Sequence, residues 1–448
     1  MIDRREPTLS RSALAVLAAV AALGAAAVPT LAAPAPNEDT LKRRAILPAE
    51  ATAPAPWNGA PSAEPAPAPG SSQPVGGFSA LLDAPGNDIY WAMPDNGFGN
   101  KQNSRSFILR VYRVRANWET ARGGRGDVQI LDWIQLSDPD EQIPFKIVRE
   151  GSEDRILTGG DFDPESMRIA PDGTLWFGEE FGPFLLHTDA AGKVLDAPIP
   201  ARGVRSPQYP GFTPEDEPRA SLNSSNGFEG MALSTNGKKL YPALEGPLRT
   251  DPDKTRRWIY EFDLRTQRYT GTRFQYRVAD PSYLISDFTA LGDGRYVVLE
   301  RDNFENTKAV HKRAFVIDLN RVGPDGFLVK REVLDLLNVR DPARIAGPPR
   351  PGDFGIGKPF KMPYQTIEAV LPEGDQRLVI VNDTNFGSRG RNLNLPDYSD
   401  FINVRVPDLL EERKRGDGGG GRPGDGENDD SAESGSSRAT SSRTARQG

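Results

Sequence analysis

The chain has 448 residues but no cysteine and only two histidines, and both shortages exclude kinds of site. Without cysteine there is no disulfide bond, no thiol nucleophile and no cysteine-bound zinc, so the fold must be stabilised by packing or by bound ions. His187 and His311 lie far apart, which argues against a histidine-rich zinc or iron site and against a Ser-His-Asp triad. The Gly-x-Ser-x-Gly, phosphate-binding-loop and His-Glu-x-x-His motifs are also missing from the sequence.

Long apolar runs are equally scarce, and the one that exists lies at the N-terminus. The run from Ser12 to Val28 follows three arginines within the first eleven residues and precedes the small-residue segment Thr30-Leu31-Ala32-Ala33. This order predicts a signal peptide over residues 1–33, for the Sec or the twin-arginine route. A membrane anchor is the alternative, but an alanine-rich run of this length is short for a stable span. We therefore expect an exported protein, periplasmic or extracellular, with no membrane span after cleavage.

Composition divides the rest of the chain into three parts. Residues 34–74 are rich in proline and alanine and are predicted to be a linker, in which Leu41 to Leu47 can form a strand that closes the last blade. Residues 409–448 are rich in Gly, Ser, Arg and Asp and are predicted to be a disordered tail. The domain then covers residues 75–408. A net charge of −7 with both signs interspersed argues against a nucleic-acid partner, and we expect a monomer.

A short phrase returns five times in this domain, and each copy has an apolar residue or proline, a polar one, a small one and an apolar one. The copies are Phe78-Ser79-Ala80-Leu81, Pro164-Glu165-Ser166-Met167, Phe228-Glu229-Gly230-Met231, Phe288-Thr289-Ala290-Leu291 and Ile367-Glu368-Ala369-Val370. Each is followed by a turn and an apolar strand that ends in charge. A repeat built of strands and turns predicts an all-β fold, a β-propeller with five visible blade repeats that closes near the two ends of the domain.

The spacing leaves room for long loops, and the blade count stays open between five and six. Successive phrases lie 60 to 86 residues apart, whereas a blade needs about 40–50 residues. Third strands are predicted at Phe107 to Val114, Trp258 to Leu264 and Ala314 to Leu319. Fourth strands are predicted at Val128 to Leu136, Arg273 to Val278 and Glu332 to Leu337, of which the last can instead be helical.

The polar residue of each phrase begins an innermost strand, so these residues converge on the channel. Several carboxylates near one axis repel each other unless some are protonated or a cation lies among them. Carboxylate and amide oxygens suit Ca²⁺, or Mg²⁺, better than softer metals. The alternative is structural pairing with Arg301, Arg249 or Lys358. The predicted metal ligands are Glu165, Glu229, Glu245, Asp287, Glu368 and Asp383.

A second set of charged and amide residues lies where the second strand of each blade ends. It comprises Asp95, Asn96, Glu179, Glu180, Glu245, Glu300, Arg301, Asn382 and Asp383. For the aspartates and asparagines, turn formation is an equal alternative. The pair Glu179-Glu180 is harder to explain as a turn device. Arg301 can hold an anionic group in a bidentate fork, or it can pair internally with Glu300 and Asp302.

The segments Asp163-Pro164-Glu165-Ser166, Gly178-Glu179-Glu180-Phe181-Gly182-Pro183-Phe184 and Phe228-Glu229-Gly230-Met231 resemble the exported bacterial family called "esterase-like activity of phytase". The resemblance covers about residues 75–405. It implies a β-propeller, secretion and cleavage of phosphoesters or related esters, and we expect a small anionic ester as the substrate. The Arg-His-Gly signature of phosphohistidine phytases is absent, so cleavage of a phosphate ester would follow the calcium-dependent propeller phytases. Glu180, Glu229 and Arg301 are then the predicted catalytic residues.

Two other functions remain open from the sequence. The first is a non-catalytic envelope propeller that binds a protein or glycan and uses the carboxylates for a structural cation. The second is a lactonase-like hydrolase with a single Ca²⁺ bound by Glu, Asn and Asp side chains.

Overall fold

The computed structural model describes residues 39–54 and 72–410. These residues form twenty-three β-strands and four short 3₁₀-helices, the latter at Asn103–Ser106, Pro214–Arg219, Asn306–Lys308 and Gly374–Gln376. The first strands are β1 Thr40–Leu47, β2 Thr52–Pro54, β3 Ser72–Pro74, β4 Ala80–Asp83, β5 Ile89–Met93, β6 Arg110–Asn117, β7 Glu119–Thr120 and β8 Asp127–Gln135. The middle strands are β9 Pro164–Ile169, β10 Leu175–Glu179, β11 Phe184–Thr188, β12 Ile199–Pro200, β13 Phe228–Leu233, β14 Lys239–Leu244, β15 Arg256–Asp263 and β16 Arg268–Arg277. The last strands are β17 Leu284–Gly292, β18 Arg295–Arg301, β19 Lys312–Val322, β20 Leu328–Asp335, β21 Ile367–Pro372, β22 Arg377–Asn382 and β23 Ser399–Arg405. In the described ranges, no helix has the length and apolar character needed to cross a membrane.

The strands form five four-stranded antiparallel blades. Blades 2, 3 and 4 are consecutive: β9 to β12, β13 to β16 and β17 to β20. Blade 1 contains β4, β5, β6 and β8, and blade 5 contains β21, β22, β23 and β1. The innermost strands contact one another in the order β4, β9, β13, β17, β21, and β21 contacts β4 again. The ring is closed with five blades, so the predicted propeller is confirmed and the long steps between phrases hold loops.

The third strand predicted for blades 1, 3 and 4 is present as β6, β15 and β19, and the fourth as β8, β16 and β20. Residues 332–335 lie in β20, so the helical alternative for this segment is wrong. The outer strands of blade 2, β11 and β12, were not predicted. They are short, and β12 is only Ile199–Pro200.

Blade 5 is completed by the N-terminal strand. β1 pairs antiparallel with β23 from Thr40 opposite Arg405 to Leu47 opposite Ser399, which confirms the strand predicted for Leu41 to Leu47. Ile46 also pairs in parallel with Asp127 of blade 1. Within the predicted linker of residues 34–74, the described residues hold β1, β2 and β3, and the other residues of this segment lie outside the described ranges.

The predicted signal peptide and residues 411–448 of the predicted tail lie outside the described residues. Leu409 was assigned to the tail, but it is fully buried against blades 4 and 5. The packed domain therefore extends to at least that residue.

A buried ionic network holds the closing strand in place. The Asp400 carboxylate accepts hydrogen bonds from Arg44 at 2.8 Å, Arg391 at 3.0 Å and the Tyr364 hydroxyl at 2.9 Å. Burial opposes ionisation, but the two guanidinium groups hold the pKa of Asp400 below its ordinary value. The carboxylate is thus ionised and its donors come from three separate segments. Losing one partner from such a group is costly because the charge stays buried.

Apolar side chains fill the five gaps between neighbouring blades. Leu299 and Val316 of blade 4 pack with Ile367 and Ile402 of blade 5, for example. Four similar clusters lie in the other gaps. The inner strands approach closely, and a Cβ on Gly230 would lie 2.8 Å from the backbone nitrogen of Phe288 on β17. The blades therefore form one continuous ring that fixes the residues facing the axis.

Removing the closing strand tests this architecture. We expect a variant lacking residues 1–48 to lose cooperative unfolding, because β23 and the interior of blade 5 become exposed and Asp400 loses Arg44. A variant lacking only residues 1–38 is the matched control and should melt as the full chain does. Circular dichroism melting of both variants measures the effect. Equal melting temperatures for the two variants would contradict closure by β1.

Candidate functional site

A repeated β-bulge turns three glutamates toward the channel. In blade 2 Ser166 pairs with Gly178 and Pro164 with Glu179, so Glu165 has no partner in the ladder. The same register shift leaves out Glu229 in blade 3 and Glu368 in blade 5. A bulge bends the strand and re-aims the extra residue. The glutamates predicted from the phrase are therefore equivalent in structure as well as in sequence.

Blade 4 has the same bulge, but its extra residue lies three positions before the polar residue of the phrase. Ile285 pairs with Glu300 and Asp287 with Leu299, so Ser286 is the residue left out, and Thr289 pairs regularly with Val297. The prediction that Thr289 is equivalent to the glutamates is thus wrong. The amino-acid pattern of the phrase does not show where the bulge lies. The equivalent positions form a first ring of Ser79, Glu165, Glu229, Ser286 and Glu368.

The second strands supply a second ring at equivalent positions. Aligned on the same registers, these positions hold Asp95, Glu180, Glu245, Arg301 and Asp383. Arg301 therefore occupies the place that a carboxylate occupies in the other four blades. With Asp163, which precedes the bulge of blade 2, the rings bring eight carboxylates together. None of the eight is more than 8% exposed.

A cavity of about 280 Å³ lies among these side chains. Within the described residues, Arg301 is the single basic side chain that lines it. Its Nη2 lies 2.7 Å from Glu245, 3.1 Å from Glu368 and 3.5 Å from Glu229. Burial opposes the charge, but these glutamates raise the pKa of Arg301 above its ordinary value. One guanidinium cannot balance eight carboxylates, so further positive charge or protons are required.

The pKa values of the carboxyl groups respond to this imbalance. Burial, and then the neighbouring carboxylates, hold the pKa of Glu165 and Glu229 well above the usual range. Burial followed by Glu245 does the same to Glu180. Burial raises the pKa of Asp163 to about 6, and burial with the nearby Glu368 raises the pKa of Asp383 to about 7. Part of the cluster is therefore protonated at neutral pH unless a cation replaces the protons.

Two features of the cluster fit a bound cation. Asp163 lies within hydrogen-bond reach of Glu165, as does Glu229 of Glu368, and such pairs must share a proton or a cation. Asp383 also keeps a buried carboxylate oxygen with no hydrogen-bond partner. An unpaired buried carboxylate oxygen is costly, and a cation would satisfy it.

The oxygen atoms also have a suitable spacing. Three groups each offer one oxygen per residue within 4.8 Å of one another: Asp95, Asp163 and Glu165; Glu165, Glu229 and Glu368; and Glu180, Glu229 and Glu245. Oxygens that bind one Ca²⁺ at about 2.3–2.6 Å lie at most about 5 Å apart. The donor set, carboxylates with the amides of Asn96 and Asn226 beside them, suits a hard cation.

Several predicted acids serve the fold instead. The prediction that Asp287 is a metal ligand is not supported, because its carboxylate accepts hydrogen bonds from Arg168 at 3.3 Å and from the backbone of Phe288 and Val370 at 2.6 and 2.8 Å. Glu179 accepts three backbone N–H groups of the loop that follows it. These contacts leave neither carboxylate facing the cavity.

Internal pairing also accounts for the acids beside Arg301. Glu300 accepts hydrogen bonds from Tyr276, His311 and Lys330, and Asp302 pairs with Lys312 at 2.9 Å where both side chains are fully buried. Arg301 turns away from its sequence neighbours toward the cavity. The proposed alternative partner Arg249 instead pairs with Glu217 and takes no part in the cluster.

Sequence reasoning missed the uncharged wall of the cavity. Its side chains are amides and hydroxyls, chiefly those of Asn226, Asn303, Gln365, Thr366 and Asn385. They lie on loops outside the repeated phrase. Only their nearness to the ends of second and inner strands could have indicated them.

With this geometry in place, comparison with known proteins identifies the family. The family model described as "Phytase-like: Esterase-like activity of phytase" matches residues 73–386. The chain belongs to this family, which confirms the resemblance stated above.

One curated relative and two solved structures illustrate the similarity. A protein of Arthroderma benhamiae named "Uncharacterized secreted protein" is 24% identical over 299 residues, which cover 51% of this chain and 58% of the relative. The chain thus matches just over half of that relative's length. A xylan β-1,4-xylosidase from Bacillus halodurans is 11% identical with a TM-score of 0.41, covering 78% of this chain and 57% of that chain. An aldose sugar dehydrogenase from Streptomyces coelicolor is 13% identical with a TM-score of 0.30, covering 83% and 99%.

The raised pKa values predict an unusual pH dependence of stability in chelator. Burial raises the pKa of Asp383 from an ordinary value of 3.8 to about 7 in the folded chain. Between these pH values the folded chain therefore keeps a proton that the unfolded chain releases. The free energy of unfolding should therefore fall as pH rises from about 4 to 7, by about 2 kcal/mol between pH 5 and 7 for this group. Asp383→Asn should lose this part of the slope, and urea unfolding at several pH values measures it. The exposed control Asp293→Asn should leave the slope unchanged, and an equal slope for both variants would argue against the assignment.

The guanidinium of Arg301 supplies a second prediction. Arg301→Met should lower the free energy of unfolding in chelator at pH 7.5 by about 3–5 kcal/mol, because three buried glutamates lose their partner. Part of this loss should return at pH 5, where the glutamates bind protons. The control Arg313→Met breaks a half-exposed pair with Glu332 and should cost no more than about 1 kcal/mol. If Arg301→Met is as stable as this control at pH 7.5, the cluster is already neutral without Arg301.

Proposed function

We propose that the chain is an exported, cation-dependent hydrolase that cleaves phosphoesters or related esters. The observation that carries the proposal is the cavity lined by buried carboxylates with a single guanidinium among them. Such a charge excess is costly for stability and is typical of sites that bind cations or move protons. Membership of the phytase-like family and the secreted relative support hydrolysis and export.

Ca²⁺ is the cation that the donor set fits best, with Mg²⁺ as the alternative. Glu165, Glu229 and Glu368 would hold it, and Glu165 and Glu229 also belong to the adjoining oxygen groups. Ca²⁺ accepts six to eight oxygens in flexible geometry, whereas Mg²⁺ demands a stricter octahedron. When bound, the cation supplies Lewis-acid polarisation of the ester and acidifies water.

The residues of the chain would handle the protons and the charge. In hydrolysis the oxygen of water bonds to the carbon or phosphorus of the ester, and the bond from that atom to the alkoxy oxygen breaks. Asp163, with a pKa of about 6, would accept a proton from water. Burial, followed by the neighbouring Glu245, holds the pKa of Glu180 well above its usual range, which suits this group to donate a proton to the leaving oxygen. Arg301 would stabilise the negative charge that develops.

A structural use of the cation is the second candidate. The observation that favours it is the engagement of Arg301 by three glutamates, which resembles an internal ion network. In that case the propeller would bind a protein or glycan without catalysis. Stability and activity must therefore be measured on the same preparations.

A comparison of the protein with Ca²⁺ and with chelator measures both its stability and its activity. With Ca²⁺ the protein should melt at a higher temperature and hydrolyse aryl esters or phosphoesters, and chelation should remove both effects. Glu165→Gln should reduce kcat/KM at least 100-fold and weaken calcium binding in calorimetry. The control Glu261→Gln changes a buried glutamate outside the cavity and should keep both. Stabilisation by Ca²⁺ without hydrolysis of any ester in a broad panel would refute the hydrolase and favour the structural cation.

A further inference from the structure

We infer that the substrate is the ester of a compact, hydroxyl-rich compound that carries little negative charge. This inference rests on the proposed hydrolase function and names the substrate class of the same cavity. It departs from the anionic substrate that the sequence led us to expect, and three features of the cavity wall support it.

The first feature is a set of amide groups with unused hydrogen-bonding capacity. Asn226 donates to Glu245, and Asn303 accepts from Arg301, so each uses one end of its amide within the protein. Asn385 donates to Thr366 at 2.9 Å, and Gln365 accepts from Ser388. The opposite ends of these four amides have no protein partner in the described residues, although all four side chains line the cavity. Amides that can both donate and accept match hydroxyl groups.

The second feature is the charge of the lining. Arg301 is the lone basic side chain there within the described ranges, and its Nη2 is already shared by Glu229, Glu245 and Glu368. No free guanidinium or ammonium therefore remains for a compound with several phosphates. Even with two divalent cations bound, the seven ionised carboxylates that line the cavity and the one guanidinium would carry a net negative charge. A polyanion is repelled by such a wall, whereas an uncharged polyol is not.

The third feature is that buried hydrogen bonds and unusual backbone conformations hold the wall in place. Ser225 and Asn385 line the cavity with φ values of 53° and 44°, in the left-handed region that residues other than glycine, asparagine and aspartate rarely adopt. The backbone N–H of Asn385 donates to Asp383 at 2.6 Å, and buried Lys312 donates to the carbonyl of Gln365 at 2.9 Å. Strained backbone of this kind clusters at sites of binding and catalysis.

The size of the cavity limits the substrate further. A volume of about 280 Å³ is at the lower edge of the range of about 300–1,000 Å³ for small-molecule sites. A single sugar-sized group is consistent with this volume. The wall residues would position such a group, with Asn385 and Gln365 as specificity-determining residues.

A matched pair of substrates tests the inference. We expect the aryl ester of a polyhydroxylated six-carbon acid to be cleaved with at least tenfold higher kcat/KM than the aryl ester of hexanoic acid, in Ca²⁺. Inositol hexakisphosphate should be a poorer substrate than the hydroxylated ester. Calorimetry should show that the free hydroxylated acid binds more tightly than hexanoic acid.

The wall variants separate binding from chemistry. Asn385→Gly keeps the left-handed backbone and removes the amide, and Gln365→Leu keeps the approximate shape. Each should raise KM for the hydroxylated ester about tenfold, the factor for one lost hydrogen bond of ordinary strength, and leave KM for the hexanoate ester within twofold. The exposed control Asn320→Ala should change neither constant.

The outcomes distinguish the two proposals. Faster cleavage of inositol hexakisphosphate, with wall variants that behave like Asn320→Ala, would overturn the substrate class and leave the hydrolase in place. Equal KM changes for both aryl esters would also overturn it, because a general structural effect moves both. Cleavage of none of the three compounds, with hydrolysis of another ester in the broad panel, would overturn the substrate class alone. Hydrolysis of no ester in the panel would remove the hydrolase and the substrate class together.

Discussion

The whole molecule depends on how it keeps negative charge inside a protein interior. Carboxylates repel one another more strongly away from water, and burial alone already penalises each of them. Eight such groups remain together here because rigid strands hold them and Arg301 offsets part of the charge. The apolar gaps between blades supply the packing that makes this arrangement tolerable. The buried cluster therefore costs stability that the apolar packing between the blades must offset.

The position of Arg301 shows how a repeat is turned into an asymmetric site. Five equivalent blades present five equivalent positions in the second ring, and four of them carry acids. The arginine at this position places a guanidinium on one side of the cavity, while the other four blades present carboxylates. Blades 1 and 4 also lack a glutamate in the first ring, where they have Ser79 and Ser286. The cavity therefore has distinct walls although the scaffold is nearly regular.

Much of the architecture could be predicted from the sequence because it is periodic. The phrase located the inner strands and four of the five positions of the first ring. The charge that follows the second strands located the second ring, and Leu41 to Leu47 was recognised as a closing strand. The phrase failed in blade 4, since a bulge at Ser286 depends on pairing with β18 and leaves no local signal. Asp287 was misjudged for a related reason: its partner Arg168 belongs to another blade. The amide wall could not be predicted, because loops such as the one around Asn385 obtain their place from tertiary contacts alone.

The closure by β1 has a consequence for the order of folding. Arg44 and Asp400 are separated by 356 residues in the chain, yet they form one buried contact. A ribosome makes the first strand long before the partner strand exists, so β1 must wait while the other blades are synthesised. Contacts between distant segments form slowly, because the entropy of closing the long loop must be overcome first. The contact that closes the ring can therefore form only after almost all of the chain has been made.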